Sequence, residues 1–148
     1  SVEWPVIILL ASVIPLGAAL ESNGTTEVIV QILTKYVSSM EPWLIIAIIM
    51  IITMTLSDIL NNTATTLVIA PISIQLAQSL NLNTDTFLMA VAISASCAFL
   101  TPIGHKNNTI ILGPGGYRFG DYWRMGLVLE ILIIITSIPL LLIFWPIN

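Results

Sequence analysis

Long apolar segments alternate along the chain with short polar ones. Apolar residues run from Trp4 to Leu20, from Trp43 to Leu60 and from Met125 to Trp145, and each run is long enough for a helix to cross a bilayer. The segment from Thr25 to Ser39 differs, because apolar residues recur there at helical spacing among polar ones. This pattern predicts an amphipathic helix that lies in the membrane interface or bridges two parts of the protein.

The second apolar run ends at a polar stretch, Asp58–Thr66, and helix-favouring residues then continue to Leu80. A helix break in lipid leaves backbone groups unpaired, so it survives only inside protein or beside a water-filled cavity. We therefore predict a re-entrant helical hairpin over residues 42–80 with its tip at 61–63. The alternative is an ordinary polar loop between two spanning helices. The stretch contains no Lys, Arg, Gly or Pro, and its short polar side chains favour the hairpin.

A second interruption follows the apolar, small-residue-rich segment Phe87–Leu100. At about 1.5 Å per residue this segment is too short to cross a bilayer. It leads into Thr101–Thr109, where Pro102 and Gly104 disfavour a helix. The pattern predicts a discontinuous helix over residues 86–113 with its unwound middle inside the membrane. A proline kink with a hydrogen-bonded histidine is the alternative.

Composition indicates a membrane protein. The 148 residues are 57% apolar and only 8% charged, whereas soluble domains carry about 25% charged residues. The net charge of −4 and the lack of a basic run argue against a nucleic-acid partner. With a final spanning helix over 123–146, the chain is predicted to be an all-α membrane protein. Residues 1–40 would form a scaffold-type helix and the interfacial arm helix, and residues 41–148 a transport-type portion of a longer protein.

The few cations predict an orientation. Arg118 and Arg124 lie in one connection, while the Asn81–Asp85 turn has neither Lys nor Arg. By the positive-inside rule, the loop 117–124 is expected on the cytoplasmic side. The hairpin would then open to the outer side, and we expect the protein in a bacterial inner membrane.

The two breaks are the candidate site for chemistry, because interrupted helices offer N–H groups to anions and free carbonyls to cations. Amide groups near Ala64, with the Asn62 amide and the Thr63 hydroxyl, are predicted to hold a carboxylate or sulfate oxygen. Carbonyls around Leu60 and Asn61 are predicted to bind Na⁺. The second break would supply the opposing wall through Thr101, Gly104, Asn107 and Asn108.

Four charged or titratable residues near the breaks remain open to two interpretations. Asp58, one turn before the tip, would either affect coupling or simply hydrogen-bond to the backbone. Lys106 would either complement an anionic substrate or snorkel to the interface. His105 would either titrate near neutral pH or act as a hydrogen-bonded packing residue. Glu130 would be either an intramembrane functional acid or an interfacial residue. The sequence has no metal cluster, Ser/His/Asp set or phosphate-binding glycine loop, so no enzymatic activity is predicted.

The motifs carry a family resemblance. Asn61-Asn-Thr-Ala-Thr65 resembles the Ser-Asn-Thr signature of the divalent anion:sodium symporters, which carry dicarboxylates, citrate and sulfate. Thr101–Asn108, followed by Gly113–Gly126, resembles that family's second unwound helix and the loop after it. The resemblance implies substrate contacts at the matching positions Asn62, Thr63, Thr101, Pro102 and Asn108. The candidate Na⁺ ligands are Leu60, Asn61, Ala64, Thr101, Gly104 and Asn107.

The resemblance also implies an architecture. The family is built from two inverted repeats, and this chain looks like the C-terminal repeat, with the N-terminal repeat as its partner. It implies a homodimer in which a transport domain moves like an elevator against a scaffold, with Na⁺ as coupling ion and no cofactor. Asn61 replaces the usual serine, and Gly104-His-Lys replaces a shorter proline-containing version. The alternatives are therefore a related permease for another anion or coupled to H⁺, and a non-transporting membrane assembly subunit.

Overall fold

The computed structural model describes residues 22–147, together with Ile7, Ile8, Ala11, Ser12, Pro15 and Ala19. The predicted spanning helix Trp4–Leu20 therefore lies largely outside the described residues. Six helices follow, and the described residues contain no strand, which confirms the all-α prediction. Their bounds are α1 Thr25–Val37, α2 Pro42–Ile59, α3 Asn62–Ser79, α4 Thr84–Ala95, α5 Lys106–Leu112 and α6 Phe119–Phe144.

The core lies where α2, α3 and α4 pack against one another. The largest fully buried apolar side chains there include Ile46, Met50, Met54 and Phe87. Helix α6 packs against α2 and α4, and α1 packs against α3. The bundle thus places the end of α2 beside the chain that follows α4.

Two of the helices, α2 and α6, are long and apolar enough to cross a membrane. Helix α6 has 26 residues and exposes large apolar side chains along its length, among them Met125, Val128, Ile135 and Ile143. Helix α2 has 18 residues and buries eight of them. The outer surface of α6 is therefore the kind of surface that lipid covers, whereas α2 contributes mainly to the core.

The hairpin break is shorter than the tip predicted from the sequence. Helix α2 ends at Ile59 and α3 begins at Asn62, so only Leu60 and Asn61 lie between the helices. Both have extended backbone angles. The signature residues Asn62 and Thr63 thus form the first turn of α3. Asn61 allows this early start, because its side chain accepts a hydrogen bond from Ala64 N at 2.8 Å and caps the helix.

The second break begins earlier in the chain than the sequence pattern suggests. Helix α4 ends at Ala95 and α5 starts at Lys106, so the non-helical segment is 96–105. We call residues 96–105 the linker. A side chain from another helix helps to end α4: the Ala95 carbonyl accepts the Ser57 hydroxyl at 2.7 Å. The sequence pattern of α4 alone does not contain this interaction.

One further expectation differs from the structure. The final helix, predicted over 123–146, already begins at Phe119, because the Asp121 carboxylate accepts a bond from Arg118 N at 2.7 Å and orders the first turn.

The apolar face of α1 is largely exposed, with Val28 at 56% and Tyr36 at 69%. An interfacial helix turns such a face towards lipid, so the amphipathic arm helix stays a prediction. Helix α1 buries Thr26, Val30 and Val37, and it packs against α3.

Candidate functional site

At the hairpin break, nearby residues supply the hydrogen-bond partners of the backbone groups. Asn61 caps α3 through the bond to Ala64 N, and the Asn61 carbonyl accepts Thr65 N at 3.0 Å. At the end of α2, Leu60 N donates to the Leu56 carbonyl at 2.8 Å. The side-chain oxygen of Asn61, a predicted Na⁺ ligand, thus already accepts a hydrogen bond in a helix cap.

The linker is held mainly by side chains from other helices. Asp58, near the end of α2, accepts hydrogen bonds through Oδ1 from Leu100 N at 3.0 Å and from Thr101 N at 3.2 Å. The Asp58 carbonyl accepts the Thr101 hydroxyl at 2.8 Å. Thr101 Oγ1 in turn accepts Gly104 N at 3.1 Å. Asp58 therefore binds the linker with both its side chain and its backbone.

Helix α5 closes the linker from its other end. Asn108 uses its amide group to donate to the carbonyls of Ala98, at 3.1 Å, and Thr101, at 3.2 Å. The Thr109 hydroxyl donates to the Pro102 carbonyl at 2.6 Å. Tyr122 of α6 donates its hydroxyl to the Asn108 carbonyl at 2.8 Å. These bonds provide partners for backbone groups that the break in the helix leaves unpaired.

Two glycines allow the helices to approach the linker closely. At Gly126 of α6, an added Cβ would lie 2.6 Å from the Phe99 carbonyl carbon and overlap its oxygen. At Gly104, an added Cβ would lie 2.8 Å from Ala98 Cβ and 3.1 Å from Asp58 Cα. Four residues after Gly126, the buried Glu130 accepts Phe99 N at 3.4 Å. The linker is thus packed between α2 and α6.

The structure brings the two breaks together. Asn62 Nδ2, in the first turn of α3, lies 3.4 Å from His105 Nδ1 at the end of the linker. Asn62 Oδ1 lies 2.9 Å from the Ser57 hydroxyl, which is also the group that contacts Ala95. Because a hydroxyl has one proton, Ser57 donates to one of these two acceptors at a time. Asn62 is therefore the side chain that links the hairpin break to the linker.

The predicted site residues differ in how closely the structure groups them. Asn62, Thr101, Gly104 and Asn108 take part in the hydrogen bonds and contacts that surround the two breaks. The substrate candidate Pro102 is buried, and Thr63 and Ala64 are half-buried in the first turn of α3. Leu60, Asn61, Lys106 and Asn107 are exposed.

The arrangement offers groups of both polarities. The first turn of α3 presents the positive end of an 18-residue helix, which favours an anion. Carbonyl and hydroxyl oxygens of Leu60, Asn61 and Thr101 are hard ligands of the kind that a small cation such as Na⁺ uses. The region therefore carries the kinds of group that bind anions and cations elsewhere in proteins.

Three residues matter more to this region than the sequence pattern indicated. Ser57 and Tyr122 are not among the candidate residues named from the sequence, and each makes a polar contact with a residue distant in the chain, Ala95 and Asn108 respectively. Glu130 is buried against the linker, and whether it lies at the interface or deeper in the membrane stays open. Its spacing of four residues from Gly126 was a usable signal, because residues i and i+4 lie on one helix face.

Comparison with known proteins shows what the chain is related to. Residues 1–147 match the citrate transporter family. The chain belongs to this family. It is 37% identical over its full length to an uncharacterised transporter of Synechocystis sp., of which the match covers 24%. It is 31% identical over 90% of its length to a sodium-dependent low-affinity dicarboxylate transporter of Caenorhabditis elegans, of which the match covers 23%.

A third relative is a sodium-dependent dicarboxylate transporter of Staphylococcus saprophyticus, 27% identical over 91% of this chain and 26% of that protein. These matches confirm the resemblance to the divalent anion:sodium symporters. Family membership and the apolar helices also indicate an integral membrane protein. The chain spans about a quarter of the length of these relatives.

Proposed function

We propose that this chain forms part of a sodium-coupled secondary transporter for small divalent anions, either sulfate or a dicarboxylate. The observation that supports this most is the juxtaposition of the two breaks through Asn62 and His105. Two helix interruptions that meet inside a membrane protein are the usual setting for the substrate and the coupling ion in secondary transporters. Two of the relatives are named sodium-dependent dicarboxylate transporters.

In this proposal, the cation and the anion bind beside each other. Na⁺ is held by oxygens of the hairpin break and the linker, drawn from Leu60, Asn61, Ala64, Thr101, Gly104 and Asn107. The anion is held by Asn62 and Thr63 at the start of α3, with Thr101, Pro102 and Asn108 opposite. Bound Na⁺ orders both breaks and offsets the negative charge of the anion, so the two ligands bind cooperatively.

Transport itself requires the complete protein. We propose that residues 41–148 belong to a transport domain that moves like an elevator against a scaffold, within a homodimer that also contains an inverted repeat of this unit. The hairpin opens to the outer side of a bacterial inner membrane, with loop 117–124 in the cytoplasm. Exposed apolar side chains on α6 and the two arginines near its start are compatible with this placement.

The proposal is tested by uptake into proteoliposomes that contain the complete transporter. Radiolabelled sulfate and succinate are supplied with an inward Na⁺ gradient, and uptake is compared for the wild type, Asn62→Ala and Thr63→Ala. We expect at least a tenfold loss of uptake in both variants. Thr55→Ala is the matched control, because its exposed hydroxyl donates to the Ile51 carbonyl of its own helix, its one bond among the described residues, and lies outside the proposed site.

Several outcomes would contradict parts of this proposal. Undiminished Na⁺-dependent uptake in both variants would rule out the assignment of the anion site to the start of α3. Uptake that follows a pH gradient and ignores Na⁺ would replace sodium coupling with proton coupling. If a panel of other anions is transported but sulfate and succinate are not, the protein is a related permease. If no anion is transported or raises thermal stability with Na⁺, an assembly role is favoured.

A further inference from the structure

Asp58, which is not among the proposed ligands, contacts the linker from a position next to the hairpin break. Its side chain is 4% exposed, and Oδ1 accepts the N–H groups of two consecutive linker residues, Leu100 and Thr101. Its carbonyl also accepts the Thr101 hydroxyl. Two residues further along the chain, Leu60 begins the hairpin break. One residue of α2 thus contacts the linker three times and lies next to the tip.

A second carboxylate supports the same segment from the opposite side. Glu130 of α6 is 7% exposed and accepts Phe99 N, so three consecutive linker N–H groups, at Phe99, Leu100 and Thr101, donate to two acidic residues. Backbone N–H groups that converge in this way form an anion-binding concavity. Here the protein's own carboxylates fill it. The linker therefore cannot shift relative to α2 without the loss of these hydrogen bonds.

The glycine at the end of the linker makes the contact with Asp58 close. A Cβ at Gly104 would lie 3.0 Å from Asp58 Oδ1 and 3.1 Å from Asp58 Cα. Any larger residue would therefore move Asp58 or the linker. Asp58 bonds to Thr101, Thr101 bonds to Gly104 N, and the next residue, His105, lies beside Asn62. A displacement of Asp58 would therefore move the linker where it meets Asn62.

We propose that Asp58 is a positioning residue that couples the linker to the hairpin break, so that order in one is transmitted to the other. The inference rests on the proposed function, since the property it affects is the joint binding of Na⁺ and the anion. Asp58 acts here as a hydrogen-bond acceptor and does not contact either ligand. The loss of this acceptor frees the N–H groups of Leu100 and Thr101, and the cation then has to order that part of the linker itself.

The substitution Asp58→Asn tests whether Asp58 acts as a hydrogen-bond acceptor or through its negative charge. In Asp58→Asn, the amide oxygen can still accept Leu100 N and Thr101 N. Its amide nitrogen would replace Oδ2, which is buried without a hydrogen-bond partner among the described residues. The Glu130 carboxyl group is close enough to the Asp58 side chain to interact with it. Asparagine therefore preserves the linker contacts, whereas alanine removes those made by the side chain.

The experiment uses the complete transporter in proteoliposomes and measures the Na⁺ concentration that gives half-maximal succinate or sulfate uptake. We expect Asp58→Ala to raise this concentration at least tenfold and Asp58→Asn to stay within threefold of the wild type. Hydrogen exchange of the peptide that contains the linker is followed in the same preparations. Asp58→Ala is expected to speed exchange there at least tenfold, and Asp58→Asn to retain protection.

Asn83→Ala is the structural control. The Asn83 side chain also makes two hydrogen bonds, accepting Asp85 N at 3.0 Å and donating to the Pro146 carbonyl at 2.9 Å, and it caps the opposite end of α4. Its loss should lower thermal stability without changing the Na⁺ dependence or exchange in the linker. If Asp58→Ala does not reach the membrane, Gly104→Ala disturbs the same contact without removal of the carboxyl group. Because Gly104 is itself a proposed Na⁺ ligand, hydrogen exchange of the linker is the readout for this variant, and exchange there is expected to be at least tenfold faster.

Each result decides for or against the coupling role. If Asp58→Asn is as impaired as Asp58→Ala, the charge matters and the acceptor role is wrong. If Asp58→Ala behaves like the wild type, or Asn83→Ala shifts the Na⁺ dependence equally, Asp58 has no specific positioning role. Wild-type protein that shows no Na⁺-dependent uptake contradicts the proposed function instead. The exchange measurement then still tests whether Asp58 holds the linker.

Discussion

The two breaks in this molecule are stabilised in different ways. At the hairpin break two residues separate α2 from α3, and Asn61 satisfies the next helix from within the same short segment. At the linker ten residues separate α4 from α5, and α2, α5 and α6 all supply partners for its backbone. The first break is a local structure, whereas the second exists only because three other helices surround it.

This difference indicates which break is adjustable. Local caps form and persist with their own helix, so the start of α3 remains in place whenever α3 does. The linker depends on distant partners, so a change in the packing of α2 or α6 alters it directly. We expect substitutions around the linker to cost more stability than comparable substitutions at the hairpin break.

The largest effect is expected from Gly126→Ala. The added methyl group would overlap the Phe99 carbonyl, and overpacking of this kind costs about 1 to 3 kcal/mol. That cost exceeds the gain of about 1 kcal/mol that alanine offers over glycine in a helix, because the neighbour is backbone and cannot rotate away. Thermal unfolding of the complete transporter in detergent measures the change.

Gly120→Ala is the matched control for that prediction. Gly120 lies in the same helix, and none of the described atoms lies close to its added methyl group. Alanine should there leave the midpoint unchanged or raise it slightly. Equal midpoints for the two variants would mean that α6 does not pack against the linker as described.

An effect of similar size is expected from Asn108→Ala. The substitution leaves the Ala98 and Thr101 carbonyls without the amide donor, and each lost hydrogen bond costs about 0.5 to 1.5 kcal/mol. The adjacent Asn107 is exposed, so Asn107→Ala should leave the unfolding midpoint unchanged. If the two variants have the same stability, the linker does not depend on α5, and the contrast between the breaks is weaker than proposed.

The smallest effect is expected at the hairpin break itself. Asn61→Ala removes the cap on Ala64 N and should cost about 1 kcal/mol, since helix caps are worth about that much. Asn61→Ser retains a capping oxygen and should restore most of the loss. A larger cost for Asn61→Ala than for Asn108→Ala, measured by the same unfolding assay, would reverse the comparison between the two breaks.

Several features of this region could be predicted from the sequence pattern. The polar interruption after α2 and the Pro102 and Gly104 positions indicated two breaks, and the apolar run of α6 indicated a spanning helix. The helix bounds differ from the predicted ones because capping and tertiary contacts decide them. The Asn61 cap lets α3 begin at Asn62 and not at Ala64. Helix α4 ends at Ala95 and not at Leu100, where the Ala95 carbonyl accepts the Ser57 hydroxyl. The buried face of α1 depended on its packing against α3, which periodicity does not reveal.

The sequence by itself determined the helical periodicity, the apolar lengths and the presence of two interruptions, because each of these depends on residues within a few positions of one another. Only the tertiary structure decided that the interruptions meet, and that Asp58 holds Thr101 across a separation of 43 residues. No local pattern encodes that pairing. It results from the packing of α2, α4 and α6, which places carboxylates beside backbone N–H groups that would otherwise be buried without partners.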